Sequence, residues 1–383
     1  MLVCFVSNGV GEDRSAAVLA ARLVSDFPAA TVIGAALLSD GDEYRRRALR
    51  VAVGGSMPWS GGFSTVTPSA FIRDLPSFNR LLHFRRSLTA LRSGTDAVVV
   101  VGDVFLLMLA KSALRKPTFF VALAKSNHHT PHSLVERAIL RQLAIDVITR
   151  DSETCQALQA SGIRAHYFGN LLMDGLQPLR PSQEPTPSVV LLPGSRREAP
   201  LNFVRMLAVV EGVDCPARWS CALAPTVPVA RIAEHAQRAG WTLDGRRLVR
   251  ERYSITLVEN DFEAALAGAE LVLGMAGTAN EQAAGLGCVV VSFPGAGPQA
   301  HPRRLREQEA LLGGGAIFEE SIETAIGTVN RLLRDPAERH RRGLAGRSRM
   351  GSPGAAAISA FLGHQMGLPD GRRSESASRP SGG

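Results

Sequence analysis

Short apolar runs that alternate with segments of helical length most restrict what this chain can fold into. The run at 97–101 reads Ala-Val-Val-Val-Val, without a polar residue at every second position. A strand of this kind is buried on both faces, which is typical of parallel sheets covered by helices. We therefore expect an α/β protein with doubly wound parallel sheets, and the pattern excludes all-β and coiled-coil folds.

The apolar runs form two series, and the chain of 383 residues is long enough for two domains. Four prolines fall within residues 177–187, so we place the linker there. This predicts an N-terminal Rossmann-like domain over 1–177 and a C-terminal one over 188–345. A helix within 346–366 is expected to pack back on the N-terminal domain, and the Gly/Ser/Arg-rich residues 369–383 are expected to be disordered.

The formal net charge of +8 arises largely from arginine runs and indicates anionic partners such as phosphorylated substrates or lipid headgroups. An aromatic content of only 5% and the lack of a known nucleic-acid module argue against nucleic acid. Met1 is followed directly by a strand-like run, and no run approaches the roughly 20 apolar residues of a spanning helix. The five cysteines show no metal or redox spacing, which is typical of a reducing, cytoplasmic location.

A turn of small residues follows the first predicted strand. Residues 7–13 read Ser-Asn-Gly-Val-Gly-Glu-Asp, and a helix follows them. Asn8, Gly9 and Gly11 would allow a ligand to approach the backbone closely, although a tight structural turn is the alternative. The turn is not G-x-G-x-x-G, and no acidic residue ends the second strand as a ribose ligand. A dinucleotide site is therefore not favoured.

Two further turns follow strands of the second series. Residues 191–196 read Leu-Leu-Pro-Gly-Ser-Arg, and residues 274–281 read Gly-Met-Ala-Gly-Thr-Ala-Asn-Glu. Small residues followed by a helix suit a diphosphate, because backbone N–H groups and a helix N-terminus attract anions. A surface arginine and a simple helix cap are the alternatives. The candidate nucleotide-binding residues are Gly194, Ser195, Arg196, Gly277, Thr278, Ala279, Asn280 and Glu281.

These motifs, in this order and together with Tyr-Phe-Gly-Asn-Leu-Leu-Met-Asp at 167–174, resemble those of the lipid-A-disaccharide synthases. The resemblance covers about 2–362 and is strongest over 145–293. It implies the GT-B fold, in which two Rossmann-like domains face a cleft. It also implies transfer of a hexosamine-type sugar from a UDP-sugar to a lipid-linked acceptor. The chain departs from the family in its N-terminal motifs, at 11–15, at 101–105 and at 169–171, so a divergent branch is expected.

The resemblance implies an inverting, metal-independent transfer with no cofactor besides the UDP-sugar substrate. We expect Arg196 to neutralise the leaving diphosphate and Asp103 to act as base, with Glu12 or the histidines of the 127–132 segment as alternatives. The alternative role for Asp103 is to cap the helix that begins nearby. A zinc site is not expected there, because the segment shows no carboxylate or cysteine at ligand spacing. The expected acceptor-binding residues are Asn8, Gly9, Gly11, Asn127, His128 and Asn170.

A lipid acceptor implies peripheral contact with the inner face of the cytoplasmic membrane, for which Leu81, Leu82, Phe84, Arg85 and Arg86 are the candidate surface. For the apolar residues among them, burial in the core is the alternative. A homodimer is left open. Other interpretations are transfer to a different glycolipid, a UDP-sugar epimerase of the same fold, and a non-catalytic nucleotide-sugar-binding protein.

Overall fold

The computed structural model describes residues 1–55, 78–177 and 184–369. The chain divides into two compact units, one formed by Met1–Gly175 with the returning segment from Ser352, the other by Leu176–Gly351. The linker predicted between residues 177 and 188 lies close to Gly175, where the chain first passes from the first unit into the second. The expected disorder beyond 369 concerns residues outside the described ranges.

The first unit contains a seven-stranded, all-parallel sheet in the order β3-β2-β1-β4-β5-β6-β7. Its apolar strands are covered on both faces by two separate clusters of buried side chains, as the sequence predicted. The strands are β1 (Leu2–Ser7), β2 (Thr31–Ala36), β3 (Arg50–Gly54), β4 (Ala97–Gly102), β5 (Thr118–Ala122), β6 (Val147–Thr149) and β7 (Ala165–His166).

The helices of the first unit follow the strands as crossover connections. They are α1 (Val10–Asp26), α2 (Asp42–Arg45), α3 (Phe78–Ala90), α4 (Val104–Leu114), α5 (Leu134–Leu143) and α6 (Ser152–Gln159). A short 3-10 turn at Leu171–Met173 ends this part of the chain. Residues 40–50 contain α2 and lead into β3.

The second unit contains an eight-stranded sheet in the order β10-β11-β12-β9-β8-β13-β14-β15. The pairs β10–β11 and β11–β12 are antiparallel, so one edge of this sheet departs from the parallel arrangement that the sequence predicted. The strands are β8 (Ser188–Leu192), β9 (Arg218–Leu223), β10 (Thr242–Asp244), β11 (Arg247–Arg250), β12 (Tyr253–Glu259), β13 (Ala269–Gly274), β14 (Val289–Ser292) and β15 (Ala316–Phe318).

The helices of the second unit are α7 (Ala199–Gly212), α8 (Val229–Arg238), α9 (Phe262–Leu266), α10 (Thr278–Leu286), α11 (Pro302–Leu312), α12 (Ile322–Arg334) and α13 (Pro336–Met350). Among the described residues, no helix of either unit combines the length and apolar character needed to cross a bilayer.

The returning segment adds α14 (Ala355–Gln365) to the first unit. Gly363 packs against the ring of Phe27, and Ser359 Oγ donates to Asp26 Oδ2 at 2.8 Å, so α14 lies along α1. The sequence reading began this segment at residue 346. The structure instead assigns residues up to Met350 to α13 in the second unit, because Gly343 and Gly346 pack closely against the chain at Gly287 and Ala284.

Candidate functional sites

The two motifs of the second unit meet at one point of its sheet. The chain leaves β8 towards β9 on one side, while β13 lies on the other side of β8. At such a switch in strand order, open α/β sheets bind ligands outside the carboxyl ends of the strands. Residues 193–196 follow β8 and residues 275–277 follow β13. Both predicted turns therefore lie at this switch point.

Backbone contacts hold the two turns together. Met275 N donates to Leu192 O at 2.9 Å. Gly194 adopts φ +101°, a conformation that favours glycine. A Cβ on Gly194 would lie 3.6 Å from Met275 O, so the β8 turn passes close to the β13 turn.

Asn202 anchors the β8 turn to the loop after β14, a role that sequence reasoning missed. Its buried amide donates to Pro193 O at 3.4 Å and to Ala296 O at 3.2 Å, and its Oδ1 accepts from Ala296 N at 2.7 Å. The loops that follow β8 and β14 are therefore linked by one side chain from α7.

Helix α10 presents its N-terminus at the same edge of the sheet. Its N-cap residue is Gly277, and no side chain of the described residues caps it. Gly277, Thr278 and Ala279 are each half-buried. The N–H groups of an uncapped first turn are an anion site, which suits a diphosphate.

The side chain of Asn280, one of the candidate nucleotide-binding residues, has a structural part in this helix start. It is fully buried, and its Nδ2 donates to Gln308 Oε1 at 2.8 Å. Gln308 Nε2 in turn donates to Gly277 O at 3.0 Å. Asn280 and Gln308 therefore hold the turn through hydrogen bonds, and no local motif indicates the role of Gln308.

The remaining polar candidates of the second unit lie around these turns. Ser195 is exposed, Arg196 and Glu281 are half-buried, and Glu281 lies in the first turn of α10. Thr226 Oγ1 donates to Ser195 O at 2.5 Å, which fixes the β8 turn against the segment after β9. The structure thus brings one guanidinium, one carboxylate and a helix N-terminus to the same edge of the sheet.

The first unit has its own switch point, between β1 and β4. Asn8 follows β1 and Asp103 follows β4. Asn8 Nδ2 donates to Asp103 Oδ2 at 2.9 Å. Gly102, at φ +151°, leaves room for Asn8, since a Cβ there would lie 2.2 Å from Asn8 Oδ1. The expected acceptor residue and the expected base therefore touch.

Asp103 also caps α4, so the capping alternative is confirmed. Its Oδ1 accepts from Leu106 N at 2.8 Å. Burial raises the pKa of Asp103, against the opposing effect of hydrogen bonds from Leu106 and Asn8. A raised pKa makes a carboxylate a better proton acceptor, so capping and a role as base are compatible.

Glu12 lies in the first turn of α1 and folds back over the turn after β1. A Cβ on Gly9 would lie 2.5 Å from Glu12 Oε2. Gly9 and Gly11 are half-buried, as is Glu12. The alternative base is therefore placed beside the expected acceptor turn.

Asp13 forms a buried hydrogen-bond network that sequence reasoning did not single out. It is 1% exposed and accepts from Ser7 Oγ at 2.5 Å and from Ser39 Oγ at 2.6 Å. The Tyr44 hydroxyl lies 2.8 Å from Ser7 Oγ. Burial raises the pKa of Asp13 to about 6. The network ties the carboxyl end of β1 to the segment after β2.

Asn170 is 1% exposed, which corrects its expected role in acceptor binding. Its Oδ1 accepts from Leu172 N at 3.1 Å, and its backbone N donates to Ser352 O at 2.8 Å. Nearby, Asp174 Oδ2 accepts from Gly354 N and Ala355 N at 2.8 and 3.0 Å. The 167–174 motif therefore docks the returning segment that begins α14.

The histidine segment follows β5 and contacts the start of α6. Asn127 N donates to Thr154 Oγ1 at 2.9 Å, and His128 Nδ1 forms an ion pair with Glu153 Oε2. Asp151 lies close by: one ligand atom each of His128, Asp151 and Glu153 lie within 4.8 Å of one another. The fold thus supplies the carboxylates that are not apparent from the spacing in the sequence.

The expected membrane surface on α3 is only partly exposed. Phe84 is 2% exposed and belongs to the core, which corrects its assignment, whereas Leu82, Arg85 and Arg86 are exposed. Apolar side chains with larger exposed fractions lie near the starts of α4 and α5. These two helices contact each other. The exposed apolar side chains are Phe105, Met108, Leu134 and Val135.

Comparison with solved structures shows the fold. The chain is similar to the calicheamicin glycosyltransferase CalG4 (TM-score 0.64, 16% identity, 96% of this chain and 98% of that one). It is similar to MurG of Acinetobacter baumannii (TM-score 0.60, 13% identity, 95% of this chain and 99% of that one). It is also similar to the UDP-GlcNAc 2-epimerase of Neisseria meningitidis bound to UDP-GlcNAc (TM-score 0.60, 12% identity, 95% of this chain and 100% of that one).

No family model matches the sequence, and no curated protein matches it either. The similarity of structure nevertheless extends over almost the whole of each chain. Together with the two α/β units, it confirms the predicted GT-B fold. The structural relatives include both glycosyltransferases and UDP-GlcNAc 2-epimerases.

Proposed function

We propose that the chain is a glycosyltransferase that moves a hexosamine-type sugar from a UDP-sugar to a lipid-linked acceptor, as a divergent relative of the lipid-A-disaccharide synthases. The observation that carries the proposal is the meeting of the 191–196 and 274–281 motifs at the switch point of the second sheet. The two motifs are about 80 residues apart in the chain, and they come together at the carboxyl ends of β8 and β13.

The donor chemistry follows from that site. The N–H groups at the start of α10 bind the diphosphate, and the Arg196 guanidinium neutralises the charge that develops as UDP leaves. The Glu281 carboxylate accepts hydrogen bonds from the ribose hydroxyls. Positive charge from the protein thus serves the purpose for which other enzymes use a metal ion, so the proposed transfer is metal-independent.

The acceptor chemistry is assigned to the first unit. An acceptor hydroxyl must lose its proton as it attacks the anomeric carbon, and inversion at that carbon follows from a single displacement. Asp103, held by Asn8 and with a raised pKa, is the proposed base, and Glu12 is the alternative. Asn8, Gly9, Gly11, Asn127 and His128 form the proposed acceptor surface.

A lipid-linked acceptor requires contact with a membrane surface. The exposed side chains Phe105, Met108, Leu134 and Val135 give the first unit an apolar patch, and the chain carries a formal net charge of +8. An apolar patch on a cationic protein suits an anionic leaflet. We propose that this patch, rather than Phe84 and its neighbours, contacts the cytoplasmic membrane.

The test is release of UDP. Purified protein is incubated with common UDP-sugars in the presence and absence of lipid monosaccharide phosphates or total lipid extract. Acceptor-dependent release of UDP, with sugar incorporated into lipid, is the expected result. Absence of release with every donor and acceptor, despite measurable UDP binding, would indicate a non-catalytic nucleotide-sugar-binding protein.

A second candidate function is UDP-sugar epimerisation, which the similarity to the epimerase of Neisseria meningitidis favours. An epimerase converts one UDP-sugar into another without an acceptor. Conversion of UDP-GlcNAc to its epimer by the protein alone, followed by NMR of the sugar protons, would favour this candidate. The transferase proposal predicts no such conversion.

A further inference from the structure

Three groups that commonly bind metal ions lie together at the carboxyl edge of the first sheet. His128 lies in the loop after β5, and Asp151 and Glu153 lie at the turn from β6 into α6. One imidazole nitrogen and one oxygen from each carboxylate all lie within 4.8 Å of one another. Zn²⁺ accepts histidine nitrogen and carboxylate oxygen together as ligands.

The buried carboxylate of Asp151 is a second, independent observation. The residue is 6% exposed, and its Oδ1 accepts from Thr154 N at 2.7 Å to cap α6. Its Oδ2 is buried and has no hydrogen-bond partner in the described part of the chain. A buried carboxylate oxygen without a donor is costly, and a cation at this position would satisfy it.

The histidine loop is fixed in position by its backbone. Thr130 N donates to Ser126 O at 2.8 Å, and His128 N donates to Ser126 Oγ at 3.1 Å. Asn127 N donates to Thr154 Oγ1 in the first turn of α6 at 2.9 Å. A hydrogen bond therefore ties the loop that carries His128 to the turn that carries the two carboxylates. Because the three ligands are already held together, little ordering is needed when an ion binds.

We propose that His128, Asp151 and Glu153 form a binding site for one divalent transition-metal ion, with Zn²⁺ the best fit. Three protein ligands leave a further coordination position for water or an anionic group. The site goes beyond the proposed transfer, which uses no metal ion. It shares His128 with the proposed acceptor surface, but none of its residues belongs to the nucleotide-binding turns. The competing explanation is an ordinary ion pair between His128 and Glu153, which would not select a metal.

The test is titration of the full chain, dialysed against a chelator, with ZnCl₂ by isothermal calorimetry. We expect one saturable site. Glu153→Gln and His128→Gln each remove one ligand, and Asp151→Asn removes the charge while its amide oxygen can still cap α6. Each change should weaken binding at least about tenfold, since even the loss of a group that only supports a ligand costs about 10- to 100-fold. The matched control is His235→Gln, at a half-buried histidine on α8 in the other unit, which should bind Zn²⁺ as the unmodified chain does.

Cobalt(II) gives a readout that an ion pair would not produce. A Co²⁺ complex with this ligand set should show visible absorption bands that are absent in Glu153→Gln. Absence of stoichiometric binding, or Zn²⁺ binding unchanged in Glu153→Gln and His128→Gln, would overturn the proposal. Titration of the same samples with UDP separates this failure from failure of the proposed function, because the metal site and the nucleotide turns lie in different units.

Discussion

The buried carboxyl group of Asp13 should make the stability of the first unit fall as pH rises. The pKa of Asp13 is about 6 in the folded chain, against 3.8 for an exposed aspartate, because burial disfavours the charged form. Between these values the folded state holds the proton more tightly than the unfolded state. The stabilisation that comes from this tighter proton binding is therefore fully present below about pH 4, and it is lost as pH rises through 6. A difference of about 2 pKa units corresponds to about 3 kcal/mol.

Asp13→Asn should remove this dependence, because asparagine can still accept a hydrogen bond from Ser7 or Ser39 but carries no charge. The free energy of unfolding of Asp13→Asn minus that of the unmodified chain should rise by up to about 3 kcal/mol between pH 4 and pH 7.5. Urea-dependent hydrogen exchange of the β1 amides reports this quantity for the first unit alone.

The matched control is Asp42→Asn, because the Asp42 side chain is 61% exposed on α2 in the same unit. Its difference from the unmodified chain should change by less than about 0.5 kcal/mol over the same pH range. A flat profile for Asp13→Asn, or a difference that falls with rising pH, would show that the Asp13 network does not impose a charge-burial cost.

Three further predictions concern the sites. Asp103→Asn should lower turnover by about 100- to 10,000-fold in the UDP-release assay while melting within a few degrees of the unmodified chain, because asparagine still caps α4; near-normal turnover would move the base to Glu12. Asn202→Leu should raise the Kd for UDP and cost about 1 to 3 kcal/mol of stability, since Ala296 N and Pro193 O lose their partner; an unchanged Kd in calorimetry would show that the link does not shape the site. Phe105→Ser combined with Val135→Ser should reduce co-sedimentation with anionic vesicles at low salt, whereas unchanged sedimentation would exclude the α4–α5 patch.

The parts of the fold that the sequence predicted are those with the strongest local signal. Fully apolar runs such as 97–101 and 189–192 have the pattern of strands buried on both faces, and both lie in buried strands. The edge strands β3 and β10, and β11 beside β10, are half-exposed and mix polar with apolar residues. Their formation depends on the neighbouring strand, and the sequence offers no local pattern for that.

The residues of the candidate sites likewise fall into those with a local sequence signal and those without one. Turns rich in glycine after apolar strands were recognisable, because strand ends and helix starts determine where they lie. Asn202, Gln308 and Asp13 act through contacts with residues 6 to 94 positions away, which no local motif encodes. For the same reason Asn170 was taken for a ligand residue, whereas its neighbours in space show that it docks the returning segment.

Calorimetric titration with UDP addresses the two turns of the second unit without requiring an acceptor, so it tests the proposed nucleotide site by itself. We expect saturable binding at one site per chain, and UDP at about 100 times its Kd should add about 2.7 kcal/mol of stability. Glu281→Ala should weaken UDP binding, whereas the control Glu323→Ala, which removes a carboxylate from the first turn of α12, should not. Absence of binding by UDP and by every common UDP-sugar, or equal affinity in Glu281→Ala and the unmodified chain, would contradict the assignment of these turns as the nucleotide site.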